Sequence, residues 1–171
     1  AHDVAVGDDV AYVAFEGLEN WDISDIENPV KIDNGMPENL GFITETALAG
    51  DYAYLARSGD DPGIVILDIS DLENPQVVSR TDVGGGHTWR AMISTSGDYA
   101  YIANERHVFS YDVSDPRNPV SLGDWYSNIR IWDSTADEDY LYLAVGMEGI
   151  IALDISDPED LHVAGFYNTT G

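Results

Sequence analysis

The chain has 171 residues, which is the size of one ordinary domain. It contains no cysteine, and this excludes disulfide bridges, thiolate chemistry and cysteine-based zinc sites. Its 32 acidic residues against seven lysines and arginines give a net charge of -25, which repels phosphates and anionic lipid and excludes nucleic acid as a partner. No hydrophobic run approaches the ~20 residues of a membrane-spanning helix, so no membrane span is expected.

Two short patterns recur four times along the chain. The first reads Asp9-Val10-Ala11-Tyr12-Val13-Ala14 and returns at positions 51, 98 and 139. The second reads Trp21-Asp22-Ile23-Ser24-Asp25, and its first aspartate returns at positions 68, 112 and 154. A period of this length with strand-like segments is typical of β-propeller blades. We therefore predict an all-β chain, a single propeller over 1–171 with four-stranded antiparallel blades and repeats at about 1–40, 41–86, 87–127 and 128–171.

The second repeat illustrates the strands that we predict in each blade. In chain order they are Thr46 to Ala49 as the innermost strand, Tyr52 to Ala56, Ile64 to Ile69, and Gln76 to Thr81 as the outer strand. The third strand is apolar on both of its faces, as expected of a strand between two neighbouring blades. The glycine run Gly84-Gly85-Gly86 then leads to the third repeat. No window shows a 3.6-residue apolar period, so we expect almost no helix.

Each repeat carries one aspartate and one tyrosine at fixed positions. The aspartate ends an apolar strand, so its carboxylate needs hydrogen bonds from turn amides or from a tyrosine hydroxyl group. The tyrosine suits packing in a strand, with a hydrogen bond from its hydroxyl group. A catalytic group is rarely repeated once per blade, so we interpret both positions as structural. They are Asp22, Asp68, Asp112 and Asp154, and Tyr12, Tyr54, Tyr101 and Tyr142.

At these residues the chain resembles the LVIVD-repeat family of β-propellers. The family's blade has a Gly-Asp-Tyr-Ala-Tyr-Val-Ala stretch and then a Leu-Val-Ile-Val-Asp-Val-Ser-Asp-Pro stretch. The matching segments are Gly50 to Ala56 and Gly97 to Ala103 for the first, and Ile64 to Asp71 and Ile150 to Pro158 for the second. The resemblance covers nearly the whole chain and implies a propeller fold in an exported or cell-surface protein without a shared catalytic motif. The first repeat departs from the pattern at Gly17-Leu18-Glu19-Asn20-Trp21, and the fourth has Asp160-Leu161 in place of Asn-Pro.

The number of blades in the complete ring stays open. Four repeats lie at the lower limit of the 4–8 blades typical of closed propellers. The chain could close a ring of four, form part of a longer propeller, or be completed by self-association of two chains. Nothing in the sequence resembles a shared closing strand, so we expect part of a larger ring.

Residues that lead into the innermost strands converge on one mouth of a propeller's central channel. The repeats place Asp3, Glu45, Met92 and Asp133 at one level, and His2, Thr44, Ala91 and Trp132 at the level before it. Converging carboxylates repel one another unless a cation, a proton or an arginine intervenes. The functional interpretation is a site for a small polar ligand or cation, and the alternative that the sequence favours is a solvated ring of polar residues facing water in the channel. The candidate residues are His2, Asp3, Glu45, His87, Trp89, Arg90, Arg130, Trp132 and Asp133.

No cofactor is expected, and no residue is assigned to catalysis. The four histidines lack the i,i+4 pairing of zinc-binding helices, so no metal site is assigned. Asp60-Asp61 and Asp137-Glu138-Asp139 are dense in carboxylates but lack the spacing of a calcium loop, so solvated turns are favoured over calcium sites. There is no Gly-x-Ser-x-Gly elbow, phosphate loop or dinucleotide fingerprint.

We therefore expect a non-enzymatic, exported or cell-surface protein that binds a protein or glycan as a rigid platform. The loops available for binding are Ala56 to Gly63 and Asn34 to Gly41, the second bearing Met36-Pro37. One alternative is a structural building block of a surface layer or extracellular filament, which predicts that particle size depends on salt or calcium. Another is a glycan-active hydrolase or lyase that uses the carboxylates at the mouth, one of which would then have a raised pKa. The acidic, lysine-poor surface fits both a salt-rich habitat and an ordinary acidic exported protein.

Overall fold

The structure, a computed structural model, describes residues 1–32, 37–83 and 87–169. Sixteen strands in these ranges form four antiparallel four-stranded sheets, and each sheet takes its strands in chain order. The 3₁₀ turn Gly146–Glu148 is the only helical segment among the described residues. The prediction of an all-β chain made of four-stranded blades is confirmed.

Each sheet is one blade, and its first strand is the innermost. Blade 1 contains β1 (Asp3–Gly7), β2 (Val10–Ala14), β3 (Leu18–Asp22) and β4 (Val30–Ile32). Blade 2 contains β5 (Phe42–Ala49), β6 (Tyr52–Ser58), β7 (Gly63–Asp68) and β8 (Gln76–Asp82). Blade 3 contains β9 (Ala91–Ser96), β10 (Tyr99–Asn104), β11 (His107–Asp112) and β12 (Val120–Tyr126). Blade 4 contains β13 (Asp133–Ala136), β14 (Tyr140–Ala144), β15 (Ile150–Asp154) and β16 (His162–Tyr167).

One predicted boundary is wrong by several residues. The innermost strand of blade 2 begins at Phe42 rather than at Thr46, because Phe42 and Ile43 already pair with the end of β6. A register shift between Ile43 and Glu45 interrupts the alternation of side chains at that point, which hides the start of the strand in the sequence. Part of the predicted binding loop from Asn34 to Gly41 and the glycine run at 84–86 lie outside the described residues.

The hydrophobic core lies between the blades. In β6, Ala53 and Leu55 pack towards blade 1, whereas Tyr54 and Ala56 pack towards blade 3. Both faces of a central blade are therefore buried, which explains the continuous apolar run of its third strand. Three clusters of buried side chains join blade 1 to blade 2, blade 2 to blade 3, and blade 3 to blade 4.

The blades are arranged in an open arc. β1 packs beside β5, β5 beside β9, and β9 beside β13. Within the described residues no comparable packing joins β13 back to β1, and no hydrophobic cluster joins blade 4 to blade 1. Among the described residues, no blade covers the outward face of blade 1 or that of blade 4.

A buried cycle of three hydrogen bonds fastens blade 2 to blade 3. Thr44 donates its hydroxyl hydrogen to the Ala91 carbonyl oxygen at 2.7 Å, and the Ala91 amide donates to Ser58 Oγ at 2.7 Å. The Thr44 and Ser58 hydroxyl oxygens are 2.7 Å apart, which closes the cycle. Beside it, Gly59 and Thr88 exchange two backbone hydrogen bonds of 2.8 and 3.0 Å. These bonds hold the segment around Arg90 in place at the start of β9.

The repeated aspartate makes the same hydrogen bond in all four blades. Its Oδ1 accepts the backbone N–H of the serine two residues later, so the side chain closes the turn after the third strand. The distances are 2.9 Å for Asp22–Ser24, 3.1 Å for Asp68–Ser70, 2.9 Å for Asp112–Ser114 and 2.9 Å for Asp154–Ser156. Hydrogen bonds from the serine hydroxyl group and from its amide hold the pKa of all four carboxyl groups below the ordinary value.

The repeated tyrosines pack between blades. Tyr12, Tyr54 and Tyr101 are buried on the face that meets the following blade, and Tyr142 is half-buried on the same face of blade 4. Of the four repeated tyrosines, all of which are described, Tyr142 is the one that shows the expected hydrogen bond. Its hydroxyl group donates to Asp137 Oδ2 at 2.9 Å.

Replacing Asp112 with alanine is expected to lower the midpoint of thermal unfolding, whereas Asp112→Asn should retain most of it because the amide oxygen still accepts the Ser114 amide. The folded-state pKa of Asp112 is lowered, so its stabilising effect is present above the unfolded-state pKa and is lost as the pH falls through the folded-state value. Circular dichroism melts at neutral and acidic pH would measure this. Asp124→Ala removes an exposed carboxylate from the same blade, and an equal loss in that control would contradict the prediction.

Candidate functional site

The innermost strands start at a common level around the arc. Asp3, Glu45, Met92 and Asp133 each pair with the alanine at the same position near the end of the second strand of their blade. This end of the arc, where the innermost strands begin, is called the channel mouth below. Three of the four residues at this level are carboxylic acids, so the fold gathers acidic side chains from blades 1, 2 and 4.

Glu45 is the central member of this group. Its side chain is only 13% exposed, and its Oε2 atom is buried without a hydrogen-bond partner. Burial, reinforced by the charges of Asp133 and Asp3, raises the pKa of Glu45 to about 8. The Arg90 guanidinium lies 3.9 Å from Glu45 Oε2 and lowers this pKa only in part, because Arg90 is half exposed and is equally close to Asp133. Glu45 is therefore mostly protonated at neutral pH.

The other two carboxylates have different surroundings. Asp3 Oδ2 accepts the Thr46 amide hydrogen at 2.8 Å, so this side chain ties blade 1 to blade 2. Asp133 is mostly exposed, and its Oδ1 lies 3.9 Å from the Arg90 guanidinium. Arg90 is thus the positive charge that lies between Glu45 and Asp133. Within this group, Asp133 and Arg90 present charged atoms to solvent.

Two tryptophans stand beside the charged group. Trp89 is 74% exposed and Trp132 is 52% exposed. The Arg130 guanidinium lies 4.7 Å from the centre of the Trp132 ring and also approaches Glu105 to 3.6 Å. The cation–π contact restrains the Trp132 ring, which stays about half exposed to solvent.

The two predicted histidines also lie at the mouth. His87 approaches Asp60 with a distance of 2.9 Å between Nδ1 and Oδ1, and its ring meets Trp89 edge-on at 4.9 Å. The His2 ring packs on Phe42 at 4.7 Å. Phe42 has no role in the sequence-based prediction because the innermost strand of blade 2 is expected there to begin only at Thr46. Asp60 was marked only as part of a dense acidic turn.

A polar cavity next to His87 was not predicted. It has a volume of about 290 Å³ and lies between the loops of blades 2 and 3. Its lining residues are His87, Thr88, Asn104, Glu105, Arg106, His107 and Tyr126. Sequence spacing gave no signal for it, because the lining comes from two loops and one outer strand that the blade arrangement brings together.

Metal binding has no support from the geometry of the described residues. No group of three or more histidine, aspartate or glutamate side chains in these ranges is arranged to hold a metal ion. Asp137 already accepts the amides of Asp139 and Tyr140 and the hydroxyl group of Tyr142. Asp60 pairs with His87. In the described part of the chain no helix is long and apolar enough to cross a membrane.

Solved structures with the same fold share little sequence with this chain. A functionally unknown protein from Desulfotomaculum acetoxidans has a TM-score of 0.75 at 16% identity, over 99% of this chain and 56% of that one. A protein from Lactobacillus plantarum has a TM-score of 0.74 at 15% identity, with coverages of 99% and 56%. The computationally designed Ika8 protein has a TM-score of 0.66 at 12% identity, with coverages of 96% and 48%. The chain thus spans about half the length of each of these proteins.

Sequence comparison identifies the repeats themselves. No curated protein is significantly similar to the whole chain. The model of the LVIVD repeat matches residues 1–34, 44–83, 85–125 and 132–169, which are the four segments that fold into the four blades. Because these matches cover most of the sequence, the chain belongs to the LVIVD repeat family.

Proposed function

We propose that this chain is a non-enzymatic binding platform, exported or displayed at the cell surface, that binds a glycan at the channel mouth. The observation that carries the proposal is the pair of exposed tryptophans, Trp89 and Trp132, which directly precede Arg90 and Asp133 in the chain. An exposed aromatic ring beside charged hydrogen-bonding groups offers both an apolar face and polar contacts to a sugar ring. A net charge of -25 favours a neutral or cationic glycan over an anionic one.

The rigidity of the mouth supports a platform. Trp89 lies next to Thr88, whose backbone pairs with Gly59, and Arg90 precedes the Ala91 amide that is fixed by Ser58. Trp132 donates its backbone N–H to the Ala144 carbonyl oxygen at 2.8 Å. Side chains on such fixed backbone lose little conformational entropy when a ligand binds. The location outside the cytoplasm rests on the acidic surface and on the family resemblance.

A second candidate is a glycan-active hydrolase or lyase. Its support is the raised pKa of Glu45 beside the carboxylates of Asp3 and Asp133, since a protonated acid next to an ionised carboxylate is the pair that such chemistry uses. The platform is favoured because Glu45 Oε2 is buried away from solvent, and a general acid must reach the bond that it protonates. Burial is also the largest cause of the pKa shift, and structural burial raises carboxyl pKa values without catalysis.

Tryptophan fluorescence titration with three hexasaccharides, made of glucosamine, N-acetylglucosamine or galacturonate, tests the proposal. We expect binding of the cationic or the neutral oligomer and none of the anionic one. Trp89→Ala and Trp132→Ala should each weaken binding by roughly 2- to 12-fold, since an aromatic contact contributes about 0.5–1.5 kcal/mol. Ile26→Ala, at an exposed residue in the turn between β3 and β4 at the opposite end of its blade, is the control.

Two outcomes would count against the platform. Binding of none of the three oligomers, or binding by both tryptophan variants that is as tight as that of the unmodified chain, would reject the mouth as a glycan site. Cleavage products that accumulate with the unmodified chain and disappear with Glu45→Gln would favour the enzyme instead.

A further inference from the structure

The two ends of the arc expose blade faces that are built to be buried. The face of blade 1 that points away from blade 2 is called the leading end face, and the face of blade 4 that points away from blade 3 is called the trailing end face. In blades 2 and 3 the equivalent faces are covered by a neighbour. The repeat therefore allows each exposed residue to be compared with buried residues at the same position.

The trailing end face carries the positions that blades 1 to 3 use to contact the next blade. Ile150 is 41% exposed, and the residues at its position in the other blades, Leu18, Ile64 and Val108, are buried. Tyr142 and Ala144 are half-buried, while their counterparts in the other three blades are buried. These side chains line a shallow, mainly apolar groove of about 180 Å³.

The leading end face carries the matching set. Val13 is half-buried, and the residues at its position, Leu55, Ile102 and Leu143, are fully buried between blades. Val6 on the innermost strand is 59% exposed. A groove of about 550 Å³ crosses this face and is lined mainly by apolar residues, namely Ala11, Val13, Phe15, Trp21, Ile23 and Pro29. This is the larger of the two end grooves.

These two faces are the two halves of an interface that the chain already forms three times. The structure points to a second copy of this chain as the occupant. We propose that two copies close one ring, with the trailing end face of each copy packed on the leading end face of the other. The ring would hold twice the four blades of one chain, at the upper end of the 4–8 blades typical of closed propellers.

Such a ring would also complete the channel mouth. Asp3 lies beside Glu45 across the junction of blades 1 and 2, and its negative charge helps to raise the pKa of Glu45. Each new junction would place Trp132 and Asp133 of one copy next to His2 and Asp3 of the other. The proposal does not depend on the identity of the ligand.

Charge sets the conditions under which the ring forms. Each chain carries a net charge of -25, so two copies repel one another until salt screens the repulsion. Among the residues that line the two end grooves, the acidic ones are Glu19 in the leading groove and Asp133 in the trailing groove, and Asp137 accepts the Tyr142 hydroxyl group on the trailing end face. We expect association to strengthen as salt is raised towards about 1 M.

Light scattering of the unmodified chain at low and high salt is the first test. A particle of twice the 18.7 kDa chain mass at high salt is the expected result. Ile150→Glu and Val6→Glu should each shift the mass to that of a single chain, because each places a charge in one of the end faces. Val120→Glu adds the same charge to an exposed position on the outer strand of blade 3 and should leave the pair intact.

A mixture of the two blocked variants distinguishes a closed ring from other pairs. The Ile150→Glu chain keeps its leading end face, and the Val6→Glu chain keeps its trailing end face, so one junction can still form. A pair should therefore appear in the mixture but in neither variant alone. A single-chain mass for the unmodified protein at every salt concentration, particles larger than two chains, or pairs unaffected by both variants would overturn the proposal. The first of these outcomes would indicate that blades of a longer chain, or the chain itself, cover the end faces.

Discussion

Glu45→Gln is expected to stabilise the fold strongly at alkaline pH and to change it little in acid. In the unfolded chain the Glu45 carboxyl group ionises near its ordinary pKa of 4.5, whereas in the folded protein burial raises that pKa to about 8. Between these values the folded state holds a proton that the unfolded state has released, so the free energy of unfolding falls as the pH rises from 4.5 to 8 and stays low above it. At about 1.4 kcal/mol per pKa unit, the full penalty is at most about 5 kcal/mol.

Glutamine keeps the size of the side chain and cannot ionise. Its amide still needs partners in a site where Glu45 Oε2 has none, so part of the gain is lost. We expect a net gain on the order of 3 kcal/mol at pH 9 and a difference near zero at pH 5. Urea unfolding followed by circular dichroism at several pH values measures both.

Glu148→Gln is the matched control for this experiment. It removes one negative charge from an exposed position in the 3₁₀ turn, so it relieves the general repulsion of the acidic chain by a similar amount. Its effect should be small and should not grow between pH 5 and pH 9. If both variants had the same free energy of unfolding at pH 9, the assignment of a buried carboxyl group with a raised pKa to Glu45 would be wrong.

The architecture could be predicted from the sequence because two separate patterns in each repeat indicate it, one in the second strand and one in the third. The Tyr-x-Tyr-x-Ala pattern of the second strand alternates between two neighbouring blades, and the apolar third strand is buried on both sides. The aspartate that ends the third strand needs hydrogen-bond donors, and turn amides supply them in all four blades. Each of these features depends on residues close together in one repeat.

The candidate site is formed by residues that are far apart in the sequence. Their spacing could indicate only that they lie at one level along the innermost strands. The register of the strands aligns Asp3, Glu45 and Asp133, but the burial of Glu45 follows from the packing of β5 between β1 and β9. The register shift after Ile43 concealed the true start of β5 and with it the contact of Phe42 with His2. The polar cavity near His87 is formed by two loops and one outer strand whose approach depends on the stacking angle of blades 2 and 3.

Leu55→Ala is expected to lower the free energy of unfolding by about 3 kcal/mol, within the range of about 2–5 kcal/mol for a leucine truncated in a core. Leu55 is fully buried between blades 1 and 2. Val65→Ala, in the same interface, should lose about 2 kcal/mol because it removes two buried methyl groups and leaves a smaller cavity. Val13→Ala removes the same two groups on the leading end face and should cost less than about 1 kcal/mol in the single chain.

The comparison of Val13 with Val65 links stability to assembly, because the two substitutions are chemically identical and differ in which face they truncate. In dilute, low-salt solution, where single chains prevail, chemical unfolding should separate them clearly. At high salt and high protein concentration, the proposed ring buries Val13, so the loss from Val13→Ala should grow with concentration while that from Val65→Ala stays constant. A loss from Val13→Ala that is independent of concentration would mean that no second copy covers the leading end face. A loss as large as that of Val65→Ala in dilute, low-salt solution would mean that the face is already buried within the single chain.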